Sequence, residues 1–312
     1  MNTQSQQRPK AVLLFGPTAV GKTALTESLF QRGFEIVNAD SVQVYRGLDI
    51  GSAKPSSSLQ RLIPHHLIDI RDPWEEYTVG DFVHDADRAI LDIASRGRVA
   101  LVTGGTAYYF KHLLYGAPET PKADLAVRAS VEESIRENGK DWAYGYLSSF
   151  DPVAAARINP NDVYRVSRAI EVYLSTGRPL SSFLLSEKER EDVDFITIGL
   201  RRERKELEER IRLRVDIMFS EGMYDEMKRL LREGAKASWP AMEGIGYKEF
   251  FPAIECGECT ISSIKEDIVR SSIRYAKRQM TFFSSFPTAR FFHPDDTEGI
   301  RLYLESRGFI SR

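Results

Sequence analysis

Two cysteines in 312 residues, Cys256 and Cys259, are too few for a disulfide framework and suit a reducing compartment. They form a lone Cys256-Gly257-Glu258-Cys259 step with no second pair and no histidines at zinc spacing, so no metal site is expected there. No apolar run approaches the roughly 20 residues of a membrane-spanning helix, so no membrane partner is expected. The opening segment from Met1 to Lys10 is polar, and no secretory signal is expected in it. A large net charge is missing too. With 43 Lys and Arg against 45 Asp and Glu the balance is −2, so a nucleic acid would have to meet local basic faces. Internal repeats and low-complexity segments are absent. The remainder is an ordinary globular composition, 42% hydrophobic and 28% charged, in a chain long enough for one large domain or two modest ones. A cytoplasmic monomer is the default expectation.

Against that background one stretch stands out. Residues 11–15 are apolar in succession, the mark of a strand buried on both faces. Gly16-Pro17-Thr18-Ala19-Val20-Gly21-Lys22-Thr23 follows, fitting the phosphate-loop pattern G-x-x-x-x-G-K-[ST], and residues 24–32 then read as a helix. Gly16 and Gly21 can take backbone angles closed to other residues, so successive amides can turn toward phosphate oxygens. The helix adds its unpaired N-terminal donors. Lys22 supplies a full charge, and the Thr23 hydroxyl can reach a phosphate-bound Mg2+. A bound polyphosphate is expected; the loop does not say which.

Residues 33–38 read as a second strand ending at Ala39-Asp40-Ser41. Asp40 thus stands where open α/β sheets place their ligands, although Asp and Ser there equally serve as turn or cap residues. His65 and His66 cannot converge on one metal ion from a strand, because neighbours project to opposite faces; a hydrogen-bonded structural histidine is expected instead. Residues 78–96 carry Phe82, Ala86, Ala89, Ile90 and Ile93 at helix spacing. Residues 99–102 make a third buried strand. Thr103-Gly104-Gly105-Thr106 follows it, where ordinary phosphate-loop ATPases carry a magnesium-holding Asp, which argues against routine ATP hydrolysis. The two glycines admit either a close ligand or a tight turn into the helix at 107–115.

From Asp124 to about Ser186 the patterning is helical without a buried strand, and residues 195–200 return to strand. The expected fold is α/β: a P-loop NTPase-like core with a mostly parallel sheet flanked by helices, at 8–118 and 195–312, interrupted by an all-helical lobe at 119–194. A helix over 204–221 leaves Arg210 and Arg214 on one stripe. The last long helix, at 263–286, presents Arg270, Arg274, Lys277 and Arg278 with few acidic neighbours; a solvated face and an anionic ligand both account for it.

Several segments now combine: the phosphate loop, Asp40-Ser41-Val42-Gln43-Val44-Tyr45, Asp49-Ile50-Gly51-Ser52-Ala53-Lys54-Pro55 and Pro64-His65-His66-Leu67-Ile68-Asp69. Gly104-Gly105-Thr106, Asn159-Pro160-Asn161-Asp162 with Arg165 and Arg168, Gly244-Ile245-Gly246-Tyr247-Lys248-Glu249 and Ala276-Lys277-Arg278-Gln279 complete the set. In this order, over nearly the whole chain, they resemble the tRNA dimethylallyltransferase (isopentenyltransferase) family, bacterial type. The resemblance implies transfer of a dimethylallyl group from dimethylallyl diphosphate to the exocyclic amine of the adenosine just 3′ of a tRNA anticodon. The diphosphate, with Mg2+ on Thr23, would occupy the loop. Asp40 would be the general base, and Lys22, Thr23 and Arg214 would stabilise the leaving diphosphate. The target base would be flipped into a channel between core and lobe, at about a few kcal/mol for unstacking. Ser41, Val42 and Gln43 would then meet the nucleotide, Thr106 and Arg128 would border the channel, and Tyr164, Arg165, Val166, Ser167 and Arg168 would form the lobe's contact with the anticodon stem-loop. The chain departs from the family's commoner residues at Ala107-Tyr108-Tyr109, at Tyr164 and at Phe282-Phe283. The rival readings are an adenylate isopentenyltransferase acting on free AMP or ATP, an ATP-dependent small-molecule kinase, and an RNA binder without chemistry.

Overall fold

The computed structural model describes residues 8–116, 120–121, 124–183, 185–186, 188–256 and 260–310, with Glu255 and Cys256 described by backbone alone. The rest of the Cys256–Cys259 step lies outside the described residues. The chain forms two compact units, one running to Leu114 and resuming at Arg190, the other spanning Tyr115–Glu189. Arg190 already belongs to the first unit: its amide donates to the Leu114 carbonyl at 2.9 Å and its guanidinium pairs with Asp87.

The first unit is built on six strands: β1 (Lys10–Phe15), β2 (Phe34–Asn38), β3 (His65–His66), β4 (Val99–Gly104), β5 (Asp194–Leu200) and β6 (Arg290–Phe292). They lie in the order β3-β2-β4-β1-β5-β6, and every pairing is parallel. β1 is central, and Ala11 to Phe15 have no exposed surface, as an apolar run covered on both faces requires. One face joins Val12, Leu14, Ile36, Leu101 and Ile198 to Leu25 of the helix that follows the loop. On the other face Phe15 stacks on Phe283 with ring centroids 4.5 Å apart, and Phe110 meets both edge-on. Helix Val79–Ser95 starts on a reciprocal capping box between Thr78 and Asp81 and buries Phe82, Ala86, Ala89, Ile90 and Ile93.

A second apolar core collects Val44, Leu48, Val215, Met223, Met227, Tyr247, Ile264 and Ile268 under the connections that follow the sheet. Within it Glu226 holds a whole loop by one carboxylate. Its Oε2 accepts from the amides of Asp49 and Ile50, and its Oε1 from the amide of Gly51 and the Tyr247 hydroxyl.

The second unit holds helices and no strand among its described residues. Helices Leu125–Asn138, Lys140–Phe150 and Val163–Thr176 bury Val131, Leu147, Val166, Ala169 and Ile170 together. Asp162 caps the last of these at the Arg165 amide, and Gly177 closes it in the left-handed region that glycine favours. No helix among the described residues is long and apolar enough to cross a membrane.

Candidate active site

The carbonyls of the loop after β1 are taken up by basic side chains. Lys22 Nζ donates to the Gly16 and Pro17 carbonyls at 2.8 and 3.0 Å. Arg210 and Arg202 take the next carbonyls, Ala19 at 2.9 Å and Val20 at 2.8 Å. Gly21 makes the turn into helix Lys22–Leu29 at φ 116°, a conformation that a side chain would strain. That helix has neither a side-chain cap nor an acidic residue in its first turn, so its free amides and positive dipole end are left for an external anion.

The loop is anchored from behind by a residue that sequence reasoning gave no role. Gln279, 2% exposed on helix Ile261–Phe283, accepts from the Thr18 amide at 2.9 Å and donates to the Gly105 carbonyl at 2.6 Å. Tyr275, one helical turn earlier, donates to the same carbonyl at 3.1 Å. Helix periodicity marks both as neighbours of the apolar stripe, but only the fold carries them to the loop.

Two cavities of about 350 and 260 Å³ open here. The larger is lined by the loop from Thr18 to Ala24 and by the ends of β2, β3 and β4. Ser41, Val42, Thr106, Met218, Lys248 and Arg278 line the smaller. Four residues line both: Thr18, Asp40, Arg214 and Tyr275.

Asp40 takes the turn-forming role and also stands at both cavities. Its Oδ1 accepts from the amides of Val42 (2.9 Å) and Gln43 (3.3 Å), the turn-forming role. Its carboxyl also lines both cavities. Arg214 makes no hydrogen bond or ion pair with a described residue; burial pushes its pKa down while Asp40 pulls it back up. Burial, with Arg214 nearby, lowers Lys22 to about 7, and Asp40 opposes that shift. A half-buried, incompletely matched pair of cations beside bare helix amides is an electrostatic arrangement that an anion completes.

The other expected site residues fall into two groups. Ser41 and Thr106 are joined, the Ser41 amide donating to Thr106 Oγ1 at 2.9 Å. Gln43 donates to the carbonyls of Ser52 and Ala53, and Val42 packs against Gly244. In the helical unit, Tyr164 and Arg165 are exposed, Arg165 pairing with Asp162. Arg168 is tied to Glu171 and the Pro121 carbonyl, and Arg128 lies 3.8 Å from Glu171. Val166 and Ser167 point inward: Val166 is 1% exposed in that unit's core, and Ser167 donates to the Tyr164 carbonyl. Their side chains are not available at the surface, because the apolar stripe of an amphipathic helix turns inward.

Gly104 and Gly105 both meet close approaches within the chain, and both also line the larger cavity. A Cβ on Gly104 would collide with the Ala39 carbonyl, and one on Gly105 would lie 2.9 Å from Gln279 Nε2. The histidines diverge as a strand demands. His66 Nε2 lies 2.7 Å from Glu35, while His65 Nδ1 lies 2.6 Å from the Ile63 carbonyl and its ring lines the larger cavity. On the basic stripe, Arg270 pairs with Asp267, whereas Arg278 faces the smaller cavity above the Tyr275 ring.

Comparison with known proteins gives a consistent result. The family model described as IPP transferase matches residues 43–286, and that described as isopentenyl transferase matches residues 9–69. A tRNA dimethylallyltransferase of Geobacter sulfurreducens is 43% identical over 294 residues, covering 93% of this chain and 94% of the relative. One from Borrelia turicatae is 41% identical over 291 residues, covering 93% and 96%. Among solved structures, the full-length tRNA isopentenylpyrophosphate transferase of Bacillus halodurans superposes with a TM-score of 0.69 at 35% identity, over 96% of this chain and 97% of that one. A eukaryotic dimethylallyltransferase acting on tRNA gives a TM-score of 0.79 at 28% identity, over 97% and 80%.

Proposed function

Because this chain belongs to the tRNA dimethylallyltransferase family, we propose that it moves a dimethylallyl group from dimethylallyl diphosphate to the exocyclic amine of the adenosine 3′ of a tRNA anticodon. One observation carries the assignment of parts: two cavities, one walled by the phosphate loop, meet at Thr18, Asp40, Arg214 and Tyr275. The diphosphate belongs in the first, the adenine in the second, and the allylic carbon at their junction.

The reaction then follows from the groups at that junction. The carbon–oxygen bond of the donor breaks and its electron pair leaves with the diphosphate. Arg214, Lys22 and the uncapped amides at the start of helix Lys22–Leu29 would face that growing negative charge. The new bond forms to the amine nitrogen, which must lose a proton. Asp40 Oδ1 is committed to two backbone amides, so Oδ2 is the oxygen free to take that proton. Binding the two substrates at one junction converts their encounter into a positioned reaction.

Mg2+ suits this arrangement. No group of three or more His, Cys, Asp or Glu among the described residues would cage a metal. A hard cation here would take its oxygens from the diphosphate, water and the Thr23 hydroxyl, and would supply charge neutralisation to the leaving group. RNA recognition is assigned to single-stranded bases and backbone. Tyr164 and Arg165 supply an exposed ring and cation on the helical unit, and Lys248 and Arg278 supply cations at the second cavity.

The test is mass spectrometry of tRNA after incubation with the protein and dimethylallyl diphosphate. The expected product gains one prenyl group on one adenosine of the anticodon loop. Prenylation of free AMP in preference to tRNA would overturn the choice of acceptor, and phosphoryl transfer from ATP would overturn the reaction.

A further inference from the structure

The floor of the loop cavity is made by three strand ends that the reaction above leaves without a task. Asn38, His65 and Thr103 stand on β2, β3 and β4, which are neighbours in the sheet. Asn38 is paired in register with Thr103, and His65 with Ile36, which shares a face with Asn38. All three side chains therefore project to one face, and all three line the cavity.

Each presents an uncharged acceptor. Thr103 Oγ1 is buried with no hydrogen-bond partner. His65 has its Nδ1 on the Ile63 carbonyl, so that nitrogen carries the proton and Nε2 keeps a lone pair. Asn38 donates one N–H of Nδ2 to the Leu67 carbonyl at 3.1 Å, and its Oδ1 acceptor and second N–H make no hydrogen bond with a described residue. Buried polar atoms in folded proteins are almost always matched, so an orphaned hydroxyl beside a cavity takes its partner from a water or a ligand there. His65 Nε2 and Asn38 Oδ1 can only accept, and the Thr103 hydroxyl can accept as well as donate, so the three together favour a ligand that donates. Phosphate oxygens only accept. Water molecules bound to a dication turn their hydrogens outward, and Mg2+ retains several of its waters when it binds phosphate.

Resting on the reading of the loop as a diphosphate site, we propose that Asn38, His65 and Thr103 form the outer seat for the waters of a diphosphate-bound Mg2+. Hydrolytic phosphate-loop enzymes use a strand-end carboxylate at this place. Neutral acceptors hold the same waters while adding no negative charge beside a leaving group that already bears several.

Titration calorimetry with inorganic pyrophosphate, in Mg2+ and in EDTA, tests the seat on wild-type protein, Thr103→Val and His65→Phe. Thr103→Val removes a hydroxyl that has no protein partner, so its melting temperature should equal or exceed that of wild type. In EDTA all three proteins should bind pyrophosphate within about twofold of one another. With Mg2+, each variant should lose about three- to tenfold of the affinity that wild type gains from the metal, the worth of about one hydrogen bond. Should Thr103→Val melt early, His65→Phe carries the same comparison. The seat is overturned if both variants keep the full gain, if they weaken metal-free binding equally, or if wild type gains nothing from Mg2+; each of these leaves the diphosphate reading standing. Wild-type protein that binds no pyrophosphate in either buffer would sink that reading and the seat with it.

Discussion

Gln279→Met is the substitution that puts the most weight on the site for the least change in shape. The glutamine bridges the Thr18 amide and the Gly105 carbonyl at 2.9 and 2.6 Å from a position only 2% exposed. Methionine fills nearly the same volume, so no cavity opens and the cost is the polar one. The Gly105 carbonyl keeps the Tyr275 hydroxyl at 3.1 Å, which limits its loss to about 1 kcal/mol. The Thr18 amide has no other partner among the described residues and bears the fuller penalty of about 1–3 kcal/mol. The sum, about 2–4 kcal/mol, lowers the melting temperature by about 3–6 °C in a chain of this size. Pyrophosphate affinity should fall with it, by about tenfold, because the freed Thr18 segment must be reordered each time the anion binds. Scanning calorimetry and pyrophosphate titration read the two effects. A variant that melts within about 1 °C of wild type and binds as tightly would refute the reasoning. Gln279→Glu provides the signed control. Its second oxygen would face the Gly105 carbonyl, acceptor against acceptor, and raise the carboxyl above its ordinary value. That variant loses stability as pH climbs from about 4 through the raised value, because the unfolded chain gives up the proton more readily.

Three further outcomes are expected. Asp40→Asn keeps an oxygen for the Val42 and Gln43 amides but has no base, so kcat should fall about 10²- to 10⁴-fold. RNA binding in a filter assay should stay within about threefold, and a matching loss of binding would reassign Asp40 to a structural role. Lys22 is lowered to about 7 from 10.5, so the folded state penalises its charged form fully below about 7, and the penalty fades as pH rises toward 10.5. Lys22→Met should therefore stabilise the ligand-free protein at pH 6 and not at pH 10. Pyrophosphate binding to wild type at pH 8 should also take up a proton, detectable by calorimetry in buffers of different ionisation enthalpy. Glu226→Gln sets an amide against two of the four donors that the carboxylate now satisfies, at 2.8–3.1 Å, and should cost about 2–4 kcal/mol in denaturant unfolding; a change under about 0.5 kcal/mol would show that the loop does not depend on it.

The parallel sheet was legible because strands covered on both faces must be apolar throughout, and residues 11–15 and 99–102 are. Helix Val79–Ser95 was legible from its cap and its period. The two short strands were not. β3 has two residues and β6 three, too few for any periodicity to register. Asp40 and Arg214 were named before the fold was known; the two meanings of Asp40 could not be separated, since one oxygen serves the turn while the carboxyl lines both cavities.

By itself the sequence determined what local chemistry determines: a loop whose glycines and lysine gather amides and charge, the apolar runs that become strands, and the caps that start helices. Only the tertiary structure decided which distant groups complete the site. Gln279 lies 261 residues from Thr18, and Glu226 lies 177 residues from Asp49. A hydrogen bond reaches about 3 Å and leaves no periodic trace along the chain, so partners separated by that much sequence meet only when the sheet and its covering helices bring them together.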